Sequence, residues 1–150
     1  MDDIDRAILY RLRFDARISY RQLGEAISLS ANAVAERVRR LTTSGTIRGF
    51  HTDIDSAAAG ARLAAFVDLR LAHGMAADAF EARLRAMPGI IAASLTTGHF
   101  DYTLQVAVAD EPALVALIES LRAEGASETH SRIILRDTVL RNGSFPTERE

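Results

Sequence analysis

Between Arg37 and Thr52 the chain carries four arginines, Arg37, Arg39, Arg40 and Arg48, and no acidic residue. Guanidinium groups bind phosphate oxygens and base edges, so a local basic stripe is a candidate nucleic-acid contact. A bare charge run is more commonly a solvated helix face. What decides between the two is the element that carries it. Ahead of the stripe stand Ser30, Asn32, Ala33 and Glu36. Asn32 can pair bidentately with adenine, or it can simply face water at a helix start. Arg39 and Arg40 are expected to point outward to phosphate or bases. Arg37 could instead pair with an acid of the fold, and Glu36 could orient an arginine.

A second candidate lies at Thr97-Gly98-His99-Phe100-Asp101-Tyr102. The Asp101 carboxylate suits an ammonium group, and backbone N–H groups of a turn suit a carboxylate. The structural alternative is a turn glycine and a turn-forming aspartate bonded to its own backbone. Thr96, Thr97 and the Tyr102 hydroxyl are weaker candidates. His99 could make binding there pH-dependent. The histidines, His51, His73, His99 and His130, show no metal-ligand spacing.

The elements that must position these residues can be read from periodicity. Asp2 caps a first helix, with Asp5 three residues on, and Ile4, Ile8 and Leu12 recur at helical spacing to an end near Phe14-Asp15. Ser19 caps a second helix, in which Tyr20, Leu23 and Ile27 share a face. Ser28-Leu29 is a turn, with Leu29 pointing inward. Ser30 caps a third helix with Val34, Val38 and Leu41 as its buried stripe. Two short helices joined by a tight turn form a helix-turn-helix, whose second helix enters the major groove of DNA. Thr46–Asp53 is expected to form a short β hairpin, or wing, with Ile47 and Phe50 inward and Arg48 outward.

After a small-residue linker the rhythm changes. Leu63–Leu71 is expected as a strand, Ala76–Met87 as a helix stopped by Pro88-Gly89, and Ile90–Thr97 as a strand. Tyr102–Val108 reads as a strand, Glu111–Arg122 as a helix and Thr129–Leu140 as a final strand. The order β-α-β-β-α-β is ferredoxin-like. The fold class is therefore α+β. The expected domains are a winged helix-turn-helix over 1–52, a linker over 53–62, a ferredoxin-like domain over 63–142 and a tail over 143–150.

Composition excludes several classes. The chain has 150 residues, 48% hydrophobic and 25% charged, with no cysteine, so disulfides and thiolate chemistry are absent. No run of 18 apolar residues and no signal peptide is apparent, so a soluble cytoplasmic protein without membrane contact is expected. Net charge is −2, and all basic residues are arginine, which reads as compositional bias. Residues 1–55 hold nine arginines against eight acids, whereas residues 56–150 hold nine against twelve. Each half is small, so association between chains should aid stability.

The residues resemble a known family. M-D-D-I-D-R-A-I-L is similar to the opening L-D-x-I-D-x-x-I-L of the leucine-responsive / asparagine-synthase regulator (Lrp/AsnC) family of transcription regulators. E-R-V-R-R-L followed by G-T-I-R-G-F is similar to that family's G-x-I-x-G/R-[FY] stretch, and T-G-H-F-D-Y to its G-x-x-D-[YF] turn. The resemblance covers almost the whole chain. It implies a DNA-binding regulator that is not an enzyme and needs no cofactor. It also implies dimers formed through the C-terminal sheets, assembling further, commonly to octamers. A small effector, often an amino acid, is implied between dimers near the turn that holds Gly98, Asp101 and Tyr102. Where the family often has Pro and Thr after the first Ser of the recognition helix, this chain has Ala31 and Asn32, which bears on the operator sequence.

Two other classes compete. Proteins of similar two-part architecture decarboxylate sirohaem, which would require His99, His130 and nearby arginines to converge on a large pocket. The basic third helix and the lack of a paired acid/base signature argue against an enzyme. An amino-acid-binding module without DNA binding is the other, and the Arg37–Arg48 stripe argues against it.

Overall fold

The computed structural model describes residues 1–138. Its described residues divide into two compact units, Met1–Asp53 with Thr138, and Ile54–Asp137.

The first unit is three helices: α1 (Asp3–Phe14), α2 (Tyr20–Ile27) and α3 (Ala31–Thr43). Each N-terminus is closed by a side chain. Asp2 and Asp5 form a reciprocal capping box on α1, Ser19 and Gln22 form one on α2, and the Ser30 hydroxyl accepts from the Ala33 N–H on α3. The turn between α2 and α3 passes through Ser28, whose φ of 59° is left-handed, and the Leu29 N–H returns to the Gly24 carbonyl at 2.9 Å. Gly24 is required there because a Cβ would lie 2.4 Å from the Leu29 carbonyl oxygen. Ile8, Leu12, Leu23, Val34, Val38, Leu41 and Ile47 form the core, with Ile4, Leu9, Ile18, Ile27 and Leu29 packed around it.

The wing differs from expectation. Thr46–Asp53 forms no strand. Ile47 is buried, but its N–H bonds to the Leu41 carbonyl at 2.9 Å, which wraps the chain back onto the end of α3 and away from an extended ladder. Phe50, expected inward, is half exposed.

The second unit runs β1 (Leu63–Leu71), α4 (Ala77–Leu84), β2 (Ile90–Leu95), β3 (Tyr102–Val108), α5 (Glu111–Ala123) and β4 (Ala126–Ile133). The strands form one antiparallel sheet in the order β2-β3-β1-β4. That is the ferredoxin-like topology. Alternation on the two central strands buries Ala65, Val67 and Leu69 with Tyr102, Leu104 and Val106 against Phe80, Leu84, Leu114, Leu117 and Leu121 of the helices.

Three boundaries move. α4 ends at Leu84, before the expected Met87: Ala86 and Met87 turn back to the carbonyls of Arg83 and Leu84, and Pro88 disfavours helix at the residue before it. β2 stops at Leu95. β4 spans Ala126–Ile133, earlier than the expected Thr129–Leu140. It starts at once after the turn at Gly125 and pairs with β1 as far as Ala65↔Ile133, with one further bond from the Ile134 N–H to the Ala64 carbonyl at 2.8 Å. Residues 139–150, including the end of that expected strand and the expected tail, lie outside the described residues.

Candidate nucleic-acid interface and effector turn

α3 is anchored along Val34, Val38 and Leu41 and turns its other side to solvent. Ser30, Asn32 and Glu36 are exposed, Ala33 is half buried, and the side chains of Arg39 and Arg40 are 73% and 60% exposed. Arg48 is exposed on the segment after α3. The first turn of this face is small and polar, so a duplex groove could approach it closely.

The arginines are less free than the linear stripe implies. Arg37 donates through Nη1 to Asp2 at 2.7 Å and to Asp5 at 2.8 Å. Arg40, expected to point outward only, donates through Nη2 to both oxygens of Asp5, at 3.1 and 2.9 Å. Arg39 pairs with Glu36 one turn earlier on α3. Among the described residues, Arg48 alone of the four has no ion-pair partner.

Asp5 is the centre of this network, with its side chain only 3% exposed. Burial pushes its carboxyl up, but the hydrogen bond from Arg37, the Asp2 backbone N–H and the charge of Arg40 outweigh burial and hold it below the ordinary value. The Asp5 backbone N–H and then Arg37 hold Asp2 low as well. Both groups are depressed by folding, so their contribution to stability is complete above the unfolded carboxylate pKa of about 3.9 and is lost as pH falls through the lower folded values. Thermal melts followed from neutral to acid pH should therefore lose stability below about pH 4. Asp5→Asn should start less stable and fall less steeply. An acid limb of equal slope in Asp5→Asn would show that this carboxyl is not the titrating group.

The second candidate, the turn from Thr96 to Asp101, is latched to the end of β1. The Asp101 N–H donates to the Leu69 carbonyl at 2.9 Å, and its Oδ2 accepts from the Leu71 N–H at 2.7 Å. The Asp101 side chain thus bonds a neighbouring strand and not its own backbone. Arg70 donates to the His99 carbonyl at 2.6 Å and to the ring Nδ1 at 2.8 Å. Arginine has only donors, so Nδ1 is the acceptor and the neutral ring carries its proton on Nε2, 3.6 Å from Glu128. Thr96 closes the turn through its hydroxyl on the Phe100 carbonyl at 3.2 Å. Gly98 has φ 123°, as a turn glycine can, and Thr97 and His99 are exposed.

Tyr102 does not belong to the open side of this turn. It is 1% exposed, its ring lies 5.7 Å from that of Phe80, and its hydroxyl donates to Glu81 at 3.0 Å. Burial raises its phenol pKa, and the Glu81 carboxylate adds to this. As the first residue of β3 it points with Leu104 and Val106 into the helix layer, so the hydroxyl cannot meet a ligand over the turn.

Sequence reasoning missed one buried acid of the sheet. Asp68, 8% exposed, accepts from the Thr103 hydroxyl at 2.7 Å and from Arg132 at 2.8 Å. The strand register pairs Asp68 with Thr103, but no linear spacing reveals it. No group of three or more His, Cys, Asp or Glu able to hold a metal occurs among the described residues. His99 and His130 are both exposed, with the Phe100 ring 4.7 Å from the first and 6.2 Å from the second.

Comparison with known proteins follows the same two-part division. The family model of the AsnC-type helix-turn-helix domain matches residues 1–42, and that of the Lrp/AsnC ligand binding domain matches residues 64–143. The HTH-type transcriptional regulator Rv2324 of Mycobacterium tuberculosis is 35% identical over 141 residues, covering 93% of this chain and 95% of that protein. The leucine-responsive regulatory protein of Salmonella typhimurium is 34% identical over 147 residues, covering 95% and 89%. The crystal structure of M. tuberculosis leucine response regulatory protein (LrpA) superposes with a TM-score of 0.87 at 31% identity, covering 97% of this chain and all of that one.

Proposed function

The chain belongs to the Lrp/AsnC family of transcription regulators, and from that premise we propose that it binds specific duplex sequences through α3 and adjusts that binding to a small amino-acid effector held at the Gly98–Asp101 turn. The observation that carries the first half is the geometry of α3. An apolar stripe fastens one side to the unit while Asn32, Glu36, Arg39 and Arg40 stand on the other, with Arg48 beyond its end. Asn32 and the small side chain of Ala33 suit close reading of base edges, and Ser30 caps the helix end that approaches the groove. Arg39, Arg40 and Arg48 suit phosphate, with Arg37 contributing through its place beside Asp5.

For the second half, the support is the latched turn. Asp101 commits Oδ2 to β1 and keeps Oδ1 for an ammonium group. Thr97, Gly98 and His99 surround the same opening, and relatives at 33–34% identity are named as leucine-responsive. In this reading two chains pair through their C-terminal domains and present two copies of α3 to half-sites about one helical turn apart, or a multiple of it. Dimers assemble further, toward an octamer, and the effector shifts that assembly by its differential affinity for two states. The segment over 53–62 joins the two parts, and the protein works in the cytoplasm. No helix among the described residues is long and apolar enough to cross a membrane.

A thermal-shift screen against the common amino acids tests the effector assignment, because a ligand that binds only the native protein raises its melting temperature. Asp101→Asn keeps an oxygen for the Leu71 N–H and removes the charge. It should abolish the shift and leave affinity for the chain's own upstream DNA within about twofold, since coupling to an absent effector contributes nothing. A shift that survives in Asp101→Asn places the ammonium elsewhere.

A further inference from the structure

Asp5 lies on α1, but what it touches is α3. Three donors converge on its carboxylate: Arg37 Nη1 at 2.8 Å, Arg40 Nη2 at 3.1 and 2.9 Å on the two oxygens, and the Asp2 backbone N–H at 3.3 Å. Each arginine spends a single terminal nitrogen on this carboxylate. The Nε and the other Nη of both guanidiniums stay outside it. The Arg40 side chain remains 60% exposed, and that of Arg37 23%. The buried anion is fixed by the capping box of α1, which it completes from its own side chain. It therefore sets the direction in which the remaining edges of two arginines leave the protein surface.

This arrangement acts on duplex binding in two opposite ways. The carboxylate cancels positive charge close to the surface, which weakens attraction to any phosphate backbone regardless of sequence. It also removes the freedom of two long side chains before DNA arrives, which favours the one duplex geometry that meets their free edges. We infer that Asp5 is a positioning residue for the DNA contacts of α3, lowering non-specific affinity and raising discrimination between duplexes. The inference rests on the reading of α3 as the DNA-facing helix. Asp2 reaches only Arg37 and is half exposed, so it is the weaker member of the pair.

The test is fluorescence anisotropy with the full chain on two labelled duplexes of equal length, its own upstream region and a scrambled sequence, between about 50 and 200 mM salt. Asp5→Asn should bind the scrambled duplex several-fold tighter, with a salt slope steeper by about one per subunit. The ratio of upstream to scrambled affinity should fall by about tenfold, the scale of one lost discriminating contact. Asp2→Asn should tighten scrambled binding less and keep most of the ratio. A purely structural Asp5 would instead weaken both duplexes by one factor and leave the ratio and slope as they were, which would overturn the inference. Arg40→Lys supplies the same reading with α1 untouched, because it keeps the charge and loses the planar fork. It should lower the ratio even if Asp5→Asn fails to fold. If the wild-type chain binds neither duplex, the DNA reading of α3 is overturned and the inference falls with it. If wild type discriminates and both variants keep its ratio, the inference alone is overturned.

Discussion

Removing Arg39 and Arg48 together should lower duplex affinity by about three orders of magnitude near 0.1 M salt and flatten the salt dependence by nearly two per subunit. The size follows from counting counterions. Each arginine that neutralises a phosphate contributes about 0.9 to the slope, and a two-subunit complex loses four such contacts. These two residues are chosen on geometry. Arg39 is 73% exposed and held only by Glu36 on its own helix, a weak, solvent-screened surface pair that a phosphate displaces at little cost. Arg48 has no ion-pair partner among the described residues. Neither touches the core, so melting temperature should be unchanged within a degree or two, consistent with the small effect of surface substitutions. Titrations across a salt series check it. A double variant with wild-type slope would take both residues out of the interface and leave Asn32 and the first turn of α3 as the contact.

Truncating Tyr102 to alanine should cost the second unit about 3–5 kcal/mol, the range for large aromatic residues in a core. The ring is wholly enclosed with Phe80, Leu104 and Val106. Tyr102→Phe keeps the ring and leaves Glu81 without its donor, at about 1 kcal/mol. For a domain of this size 1 kcal/mol corresponds to about 4–8 °C, so alanine should lower the melting temperature by about 12 °C or more and phenylalanine by a few degrees. An effector would be unaffected by Tyr102→Phe, because the hydroxyl faces the helix layer. Calorimetry and the thermal-shift screen together check this. A phenylalanine variant of unchanged stability that had lost its ligand response would return the hydroxyl to the binding site.

What could be read along the chain tracks how strongly local physics dictates each piece. α3 was legible because Ser30, the stripe Val34, Val38 and Leu41, and Gly45 all agree on one helix. β1 and β3 have the expected limits because both are central strands whose alternation separates the two faces. β4 is an edge strand with the polar sequence ASETHSRI, and its period is hidden, so the expectation drifted toward the apolar residues that follow. The wing was misread because Ile47 and Phe50 suggest a hairpin, although they stand three apart and no partner strand lies within Thr46–Asp53. Tyr102 could have been placed correctly. Its alternation with Leu104 and Val106 assigns it to the buried face, and the motif it closes drew attention to its hydroxyl instead. Of the Asp5 network, only the capping pair with Asp2 had a local signal; pairing of Arg37 with some acid was open, but its two arginine partners lie 32 and 35 residues away, and nothing in the spacing pointed to Arg40. Only the packing of α1 on α3 brings them together.

If α3 is the DNA-facing helix, as proposed, the acid partners of Arg37, Arg39 and Arg40 would also set the pace of encounter. Opposite charges a few ångströms apart cancel at a distance, and ions in the cell damp what remains beyond about 8 Å. Unit one therefore approaches a double helix with little pull from afar. Arrival is governed by diffusion and chance orientation, and its rate should vary little among genomic sites. Choice is then exercised after touching down, in how long each complex survives before it dissociates.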